Sequence, residues 1–157
     1  MSVDIKLVRI DKRLLHATVA LNWNQFIDAD VVVVVDPLYV EDPFITKVMQ
    51  LCLPKTTKVK FFSVEKFLEF LHTDKNLKAM IIFPSIEIAY EAVRQGFMVK
   101  EIQMPYPAVK IIVKKLSDYF NEQEIKHIDF IVQKGIKMYF QTSPFDSKDY
   151  SVFKLKE

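Results

Sequence analysis

Val31-Val32-Val33-Val34-Val35-Asp36-Pro37 is a short, unbroken β-branched run closed by a turn pair. Five consecutive valines leave no polar face, the pattern of a strand covered on both sides and therefore of a parallel sheet flanked by helices. Upstream, Val3 to Ile10 alternates loosely until Asp11 and Lys12 interrupt it, as a strand ending at a loop does. Val19, Ala20, Trp23, Phe26 and Ile27 recur at helical spacing and predict a first helix with one apolar face on the sheet, where Trp23 packs. Asp36 and Pro37 end the strand, and Asp36 reads as a structural residue of that turn.

Downstream the alternation of strand and helix continues. Asp42-Pro43 is a capping side chain followed by proline at the first helical position, and Ile45, Val48, Met49 and Cys52 form the expected buried stripe up to Pro54. Lys58 to Phe62 predicts a third strand, and Ser63 caps a helix with Val64, Phe67, Leu68 and Leu71 inward. His72 closes that helix, where the helix dipole favours it without any further role. Ala79 to Phe83 is a fourth strand, and Pro84-Ser85 leads into a helix carrying Ile88, Ala89, Ala92 and Val93, ended by Gly96. Met98 to Gln103 predicts a fifth strand, and Val109 to Val113 a further β-rich run before Lys114 and Lys115 at a solvated edge. Asn121 and Glu124 have the spacing of a capping box for a helix ended by Gly135, with Ile125, Ile128, Ile131 and Val132 inward and His127 beside them. Ile136 to Phe140 predicts the last core strand. Residues 141–157 are expected as a surface arm of the same single domain, 1–157, with Tyr150 to Leu155 unplaced. This order of elements predicts a three-layer α/β/α domain with a mostly parallel open sheet.

Arg9-Ile10-Asp11-Lys12-Arg13-Leu14-Leu15-His16-Ala17-Thr18-Val19-Ala20-Leu21-Asn22-Trp23 joins the first strand to the first helix. In an open α/β sheet, ligands bind beyond the carboxyl ends of the strands, and the free N–H groups of the following helix favour an anion. Arg13 precedes His16 by three residues, which brings guanidinium and imidazole to one side of a helix-like turn. Imidazole is a free base near neutral pH, and a helix N-terminus favours that form further, so His16 can attack phosphorus. On spacing alone, a backbone bond is the commoner explanation of such a histidine. The Phe83-Pro84-Ser85 turn is expected to open on the same side, with Ser85 as helix cap, as hydrogen-bond donor to a bound phosphate, or as both.

Arg-Ile-Asp-x-Arg-Leu-Leu-His followed by x-x-Val-Ala-x-x-Trp resembles the active segment of the IIB components of the mannose/sorbose family of bacterial phosphoenolpyruvate-dependent sugar phosphotransferase systems. Arg9, Asp11, Arg13, His16, Val19 and Trp23 occupy its positions. The resemblance implies a phosphotransferase in which His16 accepts a phosphoryl group from the phosphohistidine of a IIA protein or domain. It implies onward transfer to a sugar held by the membrane components IIC and IID, to which recognition of that sugar largely belongs. Arg13 is then the phosphate ligand and Asp11 the residue orienting loop or histidine. Arg9, Ala17, Thr18 and Ser85 are supporting or phosphate-binding positions, with Arg9 serving loop structure or partner contact. Two positions depart from the family. Ala17 replaces a usual glycine, which would cost about 1 to 2 kcal/mol if that residue needed positive φ. Gln103-Met104-Pro105-Tyr106-Pro107 replaces a glycine-containing loop, and its prolines offer no N–H to an anion. Tyr106 there is a lid, a docking residue or part of a rigid turn. These departures motivate the alternative of a degenerate relative that binds phosphate or a partner without efficient transfer.

Composition narrows the remaining classes. At 157 residues, half of them hydrophobic, the chain suits one domain with a substantial core. A net charge of +2 without a basic run argues against nucleic acid. No apolar stretch reaches membrane-spanning length, and the N-terminus lacks a signal-peptide core, so a soluble cytoplasmic protein is expected, peripheral to the inner membrane face through its partners. Homo-oligomerisation is left open. Cys52, the single cysteine, forms no internal disulfide and is expected in the core. No histidine, cysteine or carboxylate cluster has metal-ligand spacing, and no cofactor is expected. The two glycines, Gly96 and Gly135, belong to no phosphate-binding loop, which removes the support for a nucleotide-binding domain. No repeat or low-complexity linker is apparent.

Overall fold

A computed structural model describes residues 3–12, 23, 26–38, 40, 42–73, 76–107 and 112–154 of the chain. Six strands form one parallel sheet: β1 (Asp4–Ile10), β2 (Val31–Val35), β3 (Lys58–Phe62), β4 (Lys78–Phe83), β5 (Glu101–Met104) and β6 (Lys137–Phe140), in the order β3-β2-β4-β1-β5-β6. Helix α1 (Pro43–Leu51) covers one face, while α2 (Val64–Phe70), α3 (Ile86–Arg94) and α4 (Glu122–Gln133) cover the other.

The valine run shows why. Val31, Val33 and Val35 enter the core beneath α2, α3 and α4, whereas Val32 and Val34 enter the core beneath α1 and Trp23. All five are at most 2 % exposed, and a fully buried side chain of this size contributes about 1.5–3 kcal/mol relative to an exposed one. Phe67, Phe83 and Phe97 add an edge-to-face cluster on the three-helix side.

The caps stand where the sequence places them. Asp42 Oδ1 accepts from the N–H groups of Phe44 and Ile45 at 3.0 and 3.3 Å. Ser63 caps α2, and Asn121 and Glu124 close a reciprocal capping box on α4. Gly96 and Gly135, at φ 113° and 91°, take the left-handed position just past α3 and α4 that a side chain would strain.

Several expectations are corrected. β5 begins at Glu101, not Met98, because its ladder to β6 starts at Glu101 opposite Lys137, and it runs on through Met104. Ile112 and Val113 lie in no strand, and Ile112 is exposed; residues 108–111 lie outside the described residues. In α1 only Met49 of the expected stripe is fully buried, and Cys52 is half-buried with its thiol toward Val48 O. Met49 inserts into the core on the α1 face of the sheet, while Phe44 and Leu51 face solvent. Phe26 is likewise exposed, although Trp23 packs as expected; Val19 and Ala20 lie outside the described residues. In α4, Ile125 and Val132 are half-buried and His127 is buried instead, because α4 also packs on α3, where Tyr90 stacks on the His127 ring at 4.0 Å.

Residues 142–148 run over the surface next to buried Gln141. The chain then returns through an antiparallel bridge between Asp149 and Phe140 and buries Phe153.

Candidate active site

The loops after β1, β4 and β5 all leave the carboxyl edge of the sheet. Trp23, the next described residue after Lys12, packs on the α1 face, whereas β4 and β5 lead into α3 and α4 on the other face, so a crevice opens at the strand ends between them. A cavity of about 330 Å³ lies there, lined among the described residues by Ile10, Asp11 and Lys12, by Pro84, Ser85 and Ile86, by Met104 to Pro107, and by Tyr119, Phe120 and Glu124. The ends of β1 and β4 are tied across it by Asp11 N–H donating to Phe83 O at 2.9 Å.

Ser85 stands on this wall as N-cap of α3, its Oγ accepting from Ile88 N–H at 3.2 Å. A hydroxyl oxygen can cap and still donate its hydrogen, so both expected uses are compatible. The first N–H groups of α3 and the exposed Lys12 side chain supply positive potential at this edge. Pro105 and Pro107 line the opposite wall and contribute no N–H donor.

Arg9 and Asp11 share the other sheet face, two residues apart. Arg9 is 1 % and Asp11 3 % exposed, and Arg9 Nε donates to Asp11 Oδ2 at 3.2 Å. The guanidinium also donates from Nη1 to Gln103 Oε1 and to Gln141 O, the latter at 3.2 Å, and from Nη2 to Thr142 O at 3.4 Å. Its carbon lies 5.5 Å from the Trp23 ring centroid, and Trp23 Nε1 donates to the same Thr142 carbonyl at 3.3 Å. Arg9 is thus turned inward, among the groups it bonds, rather than toward solvent. Asp36 accepts from Leu38 N–H at 2.9 Å, a local turn bond in keeping with a structural role. His16, Arg13, Ala17 and Thr18 lie outside the described residues.

Gln103 and Gln141 were not anticipated as site residues. Gln103 Nε2 donates to Gln141 Oε1 at 2.9 Å, and Gln141 Nε2 donates to Asp146 O at 2.8 Å. The available signal was an amide inside the otherwise apolar strand ending Ile102-Gln103-Met104, since a buried amide needs partners.

Tyr106 is tied to Phe140, Thr142 and Asp149. It stacks on Phe140 at 4.9 Å, donates its backbone N–H to Thr142 Oγ1 at 3.0 Å, and donates its hydroxyl to Asp149 Oδ2 at 2.5 Å. Burial, followed by Asp149, pushes the Tyr106 phenol up to about 12, while the Tyr106 hydroxyl holds Asp149 below the usual carboxylate range. Burial raises Glu101, but Lys148 at 2.6 Å and the Tyr150 hydroxyl at 2.7 Å outweigh it and leave Glu101 lowered. Burial and then Glu101 push Tyr150 up to about 12.

These ties predict a two-sided pH response. Depressed carboxyls stabilise the 142–150 arm above their unfolded value of about 4 and lose that contribution as pH falls through the lower folded value. The raised phenols stabilise it below about 10 and lose their contribution as pH rises toward 12. Each tie is partly exposed, worth about 1 kcal/mol or less. The expected result is loss of amide protection at Asp149 and a change in Trp23 emission below about pH 4 and above about pH 10, within a still-folded core. Uniform protection from pH 3 to 11 would remove these ties as the cause of arm closure.

A family profile described as "PTS system sorbose subfamily IIB component" matches residues 5–155. The chain belongs to this IIB family. The N-acetylgalactosamine-specific phosphotransferase enzyme IIB component 1 of Escherichia coli is 27 % identical over 94 % of this chain and 96 % of its own length. The fructose-specific EIIB component of Bacillus subtilis is 24 % identical over 94 % and 93 %. The crystal structure of the E. coli component superposes with a TM-score of 0.80 at 26 % identity, covering 93 % of this chain and 98 % of that one. The IIB domain of the sorbose permease of Klebsiella pneumoniae shares the fold, with a TM-score of 0.79 at 21 % identity over 94 % and 93 % of the two chains. This IIB component is therefore a phosphotransferase-system protein of sugar uptake with a general role in phosphoryl transfer. Among its described residues, no helix is long and apolar enough to cross a membrane, and no group of three or more His, Cys, Asp or Glu is placed to hold a metal ion.

Proposed function

We propose that this IIB component, acting as one domain over 1–157, takes a phosphoryl group onto His16 from the phosphohistidine of a IIA partner and passes it to a sugar held by IIC and IID. The observation that carries this reading is the cavity at the carboxyl edge, where Asp11 and Lys12 lead directly into the Arg13–His16 segment and the Ser85-capped helix opens beside them. Neutral imidazole attacks phosphorus as the donor's P–N bond breaks, and the P–N bond on His16 then breaks as a P–O bond forms on the sugar hydroxyl. That hydroxyl loses its proton in the second step, and His16 returns to neutral imidazole. Arg13 and the α3 N-terminus hold the charge on the transferred group, Asp11 orients the loop, and Arg9, Ala17 and Thr18 support it. Catalysis of this kind is positioning and electrostatic stabilisation. Association with the membrane components places the protein at the inner face of the cytoplasmic membrane.

Pro105 and Pro107 on the cavity wall favour a second reading, a relative that binds phosphate or IIA without turning over. The test is incubation with phosphoenolpyruvate, the general phosphocarrier proteins and the cognate IIA, followed by intact-mass analysis before and after acid. One acid-labile phosphoryl group, located to the peptide containing His16 and discharged when sugar and the membrane components are added, is expected. Binding of an active IIA with no label on this chain would select the second reading.

A further inference from the structure

Gln103 lies on β5, in register with Arg9 on the neighbouring β1, and is completely buried. The oxygen and nitrogen of its side-chain amide face opposite ways: Oε1 accepts from Arg9 Nη1, and Nε2 donates to Gln141 Oε1 at 2.9 Å. Arg9 in turn donates Nε to Asp11 Oδ2, and Asp11 lines the cavity at the head of the His16 segment. An unbroken chain of hydrogen bonds therefore runs from the β6 end, through Gln103 and Arg9, to the residue that begins the active loop. A guanidinium is planar, so the acceptor at Nη1 sets the plane in which Nε meets Asp11. The Arg9 plane is further constrained by the Trp23 ring and the carbonyls of Gln141 and Thr142.

We infer that Gln103 is a positioning residue for phosphoryl transfer, acting through Arg9 on Asp11 and the His16 loop. A neutral acceptor is required at this place. It anchors the guanidinium without neutralising it, which leaves Asp11 as the carboxylate the charge is directed to; a carboxylate at 103 would compete with Asp11 for the same guanidinium. The inference rests on the proposed transfer at His16.

The experiment compares wild type, Gln103→Glu and Gln103→Leu in the IIA-driven labelling reaction, well below their melting temperatures, with donor concentration varied. Gln103→Glu keeps Arg9 paired, so a purely structural role for Gln103 leaves the transfer rate unchanged in any folded variant. The positioning role predicts that the rate at saturating IIA falls about tenfold or more in Gln103→Glu with the KM for IIA unchanged, since small misplacements of reacting groups have effects of this size. It also predicts a shifted His16 ring C–H resonance in the same variant. Gln103→Leu, which withdraws one acceptor from Arg9 without adding charge, is expected to slow transfer as well and decides the matter alone if Gln103→Glu does not fold. Wild-type rates and an unmoved His16 resonance in the folded variants, with wild type labelled, overturn the positioning role alone. Absence of label from wild type in the presence of active IIA overturns both the inference and the transfer function beneath it.

Discussion

Arg9→Ala is expected to destabilise the protein by about 3–5 kcal/mol, the range for breaking a buried ion pair by removing one partner. The size follows from what the guanidinium leaves behind. Asp11, 3 % exposed, loses its cation; Gln103 Oε1 and the carbonyls of Gln141 and Thr142 lose donors; and the Trp23 ring loses the cation beside it. Attraction within the pair is not the source, since charges taken out of water recover little net energy by meeting each other. The source is a buried carboxylate deprived of the Arg9 guanidinium, together with the acceptors that lose its donors. Arg9→Met combined with Asp11→Leu should therefore recover much of the loss while removing whatever the pair does for the active loop. Urea unfolding checks both, with the midpoint moving at constant slope for a pure stability change, and a melting shift on the order of 10 °C for the single variant. A loss below about 1 kcal/mol would mean that water replaces the guanidinium and that the network does not hold the loop ends together.

His16→Ala is expected to reduce acid-labile phosphoryl label to background, and Arg13→Ala to slow labelling by about 10²–10³-fold while leaving it detectable. The two differ because one removes the atom that forms the P–N bond and the other removes charge stabilisation around it. Without the imidazole nitrogen there is no nucleophile, whatever the fold retains. Without the Arg13 guanidinium, the α3 N-terminus at Ser85 still faces the cavity and supplies part of the field. Both positions fall between β1 and β2 in the sequence and outside the valine run, so unfolding midpoints near wild type are expected and separate lost chemistry from lost structure. Persistence of the label in His16→Ala would move the phosphoryl acceptor to another side chain. Equal loss in both variants would make Arg13 part of the reacting unit rather than a stabiliser of charge.

The site was partly legible because its main marks are local. Ser85 follows a strand and a proline and precedes an amphipathic run, and it caps α3 on the cavity wall. The strand-end rule then set the β4 loop on the same edge as the β1 loop, where the cavity lies. His127 shows the converse. Its spacing places it beside the apolar stripe of α4, yet it is buried because a second helix, not only the sheet, packs there and brings Tyr90 onto its ring. Met98 and Ile112 were read into strands from apolar character alone, whereas strand length depends on which neighbour is available to complete the ladder.

By itself the sequence determined the parallel sheet, through valines that tolerate no polar face, and the helix starts, through capping residues within a turn of the N–H groups they satisfy. It also carried the family, in unlike residues at set spacing between Arg9 and Trp23. Only the tertiary structure decided what Arg9 and Gln103 do. Arg9 meets an amide 94 positions away and a carbonyl 132 positions away, and no local periodicity encodes such pairings. The physical reason is that a buried charge takes whatever partners the packed strands bring within hydrogen-bond reach, and the order β4-β1-β5-β6 brings Gln103 and Gln141 to Arg9.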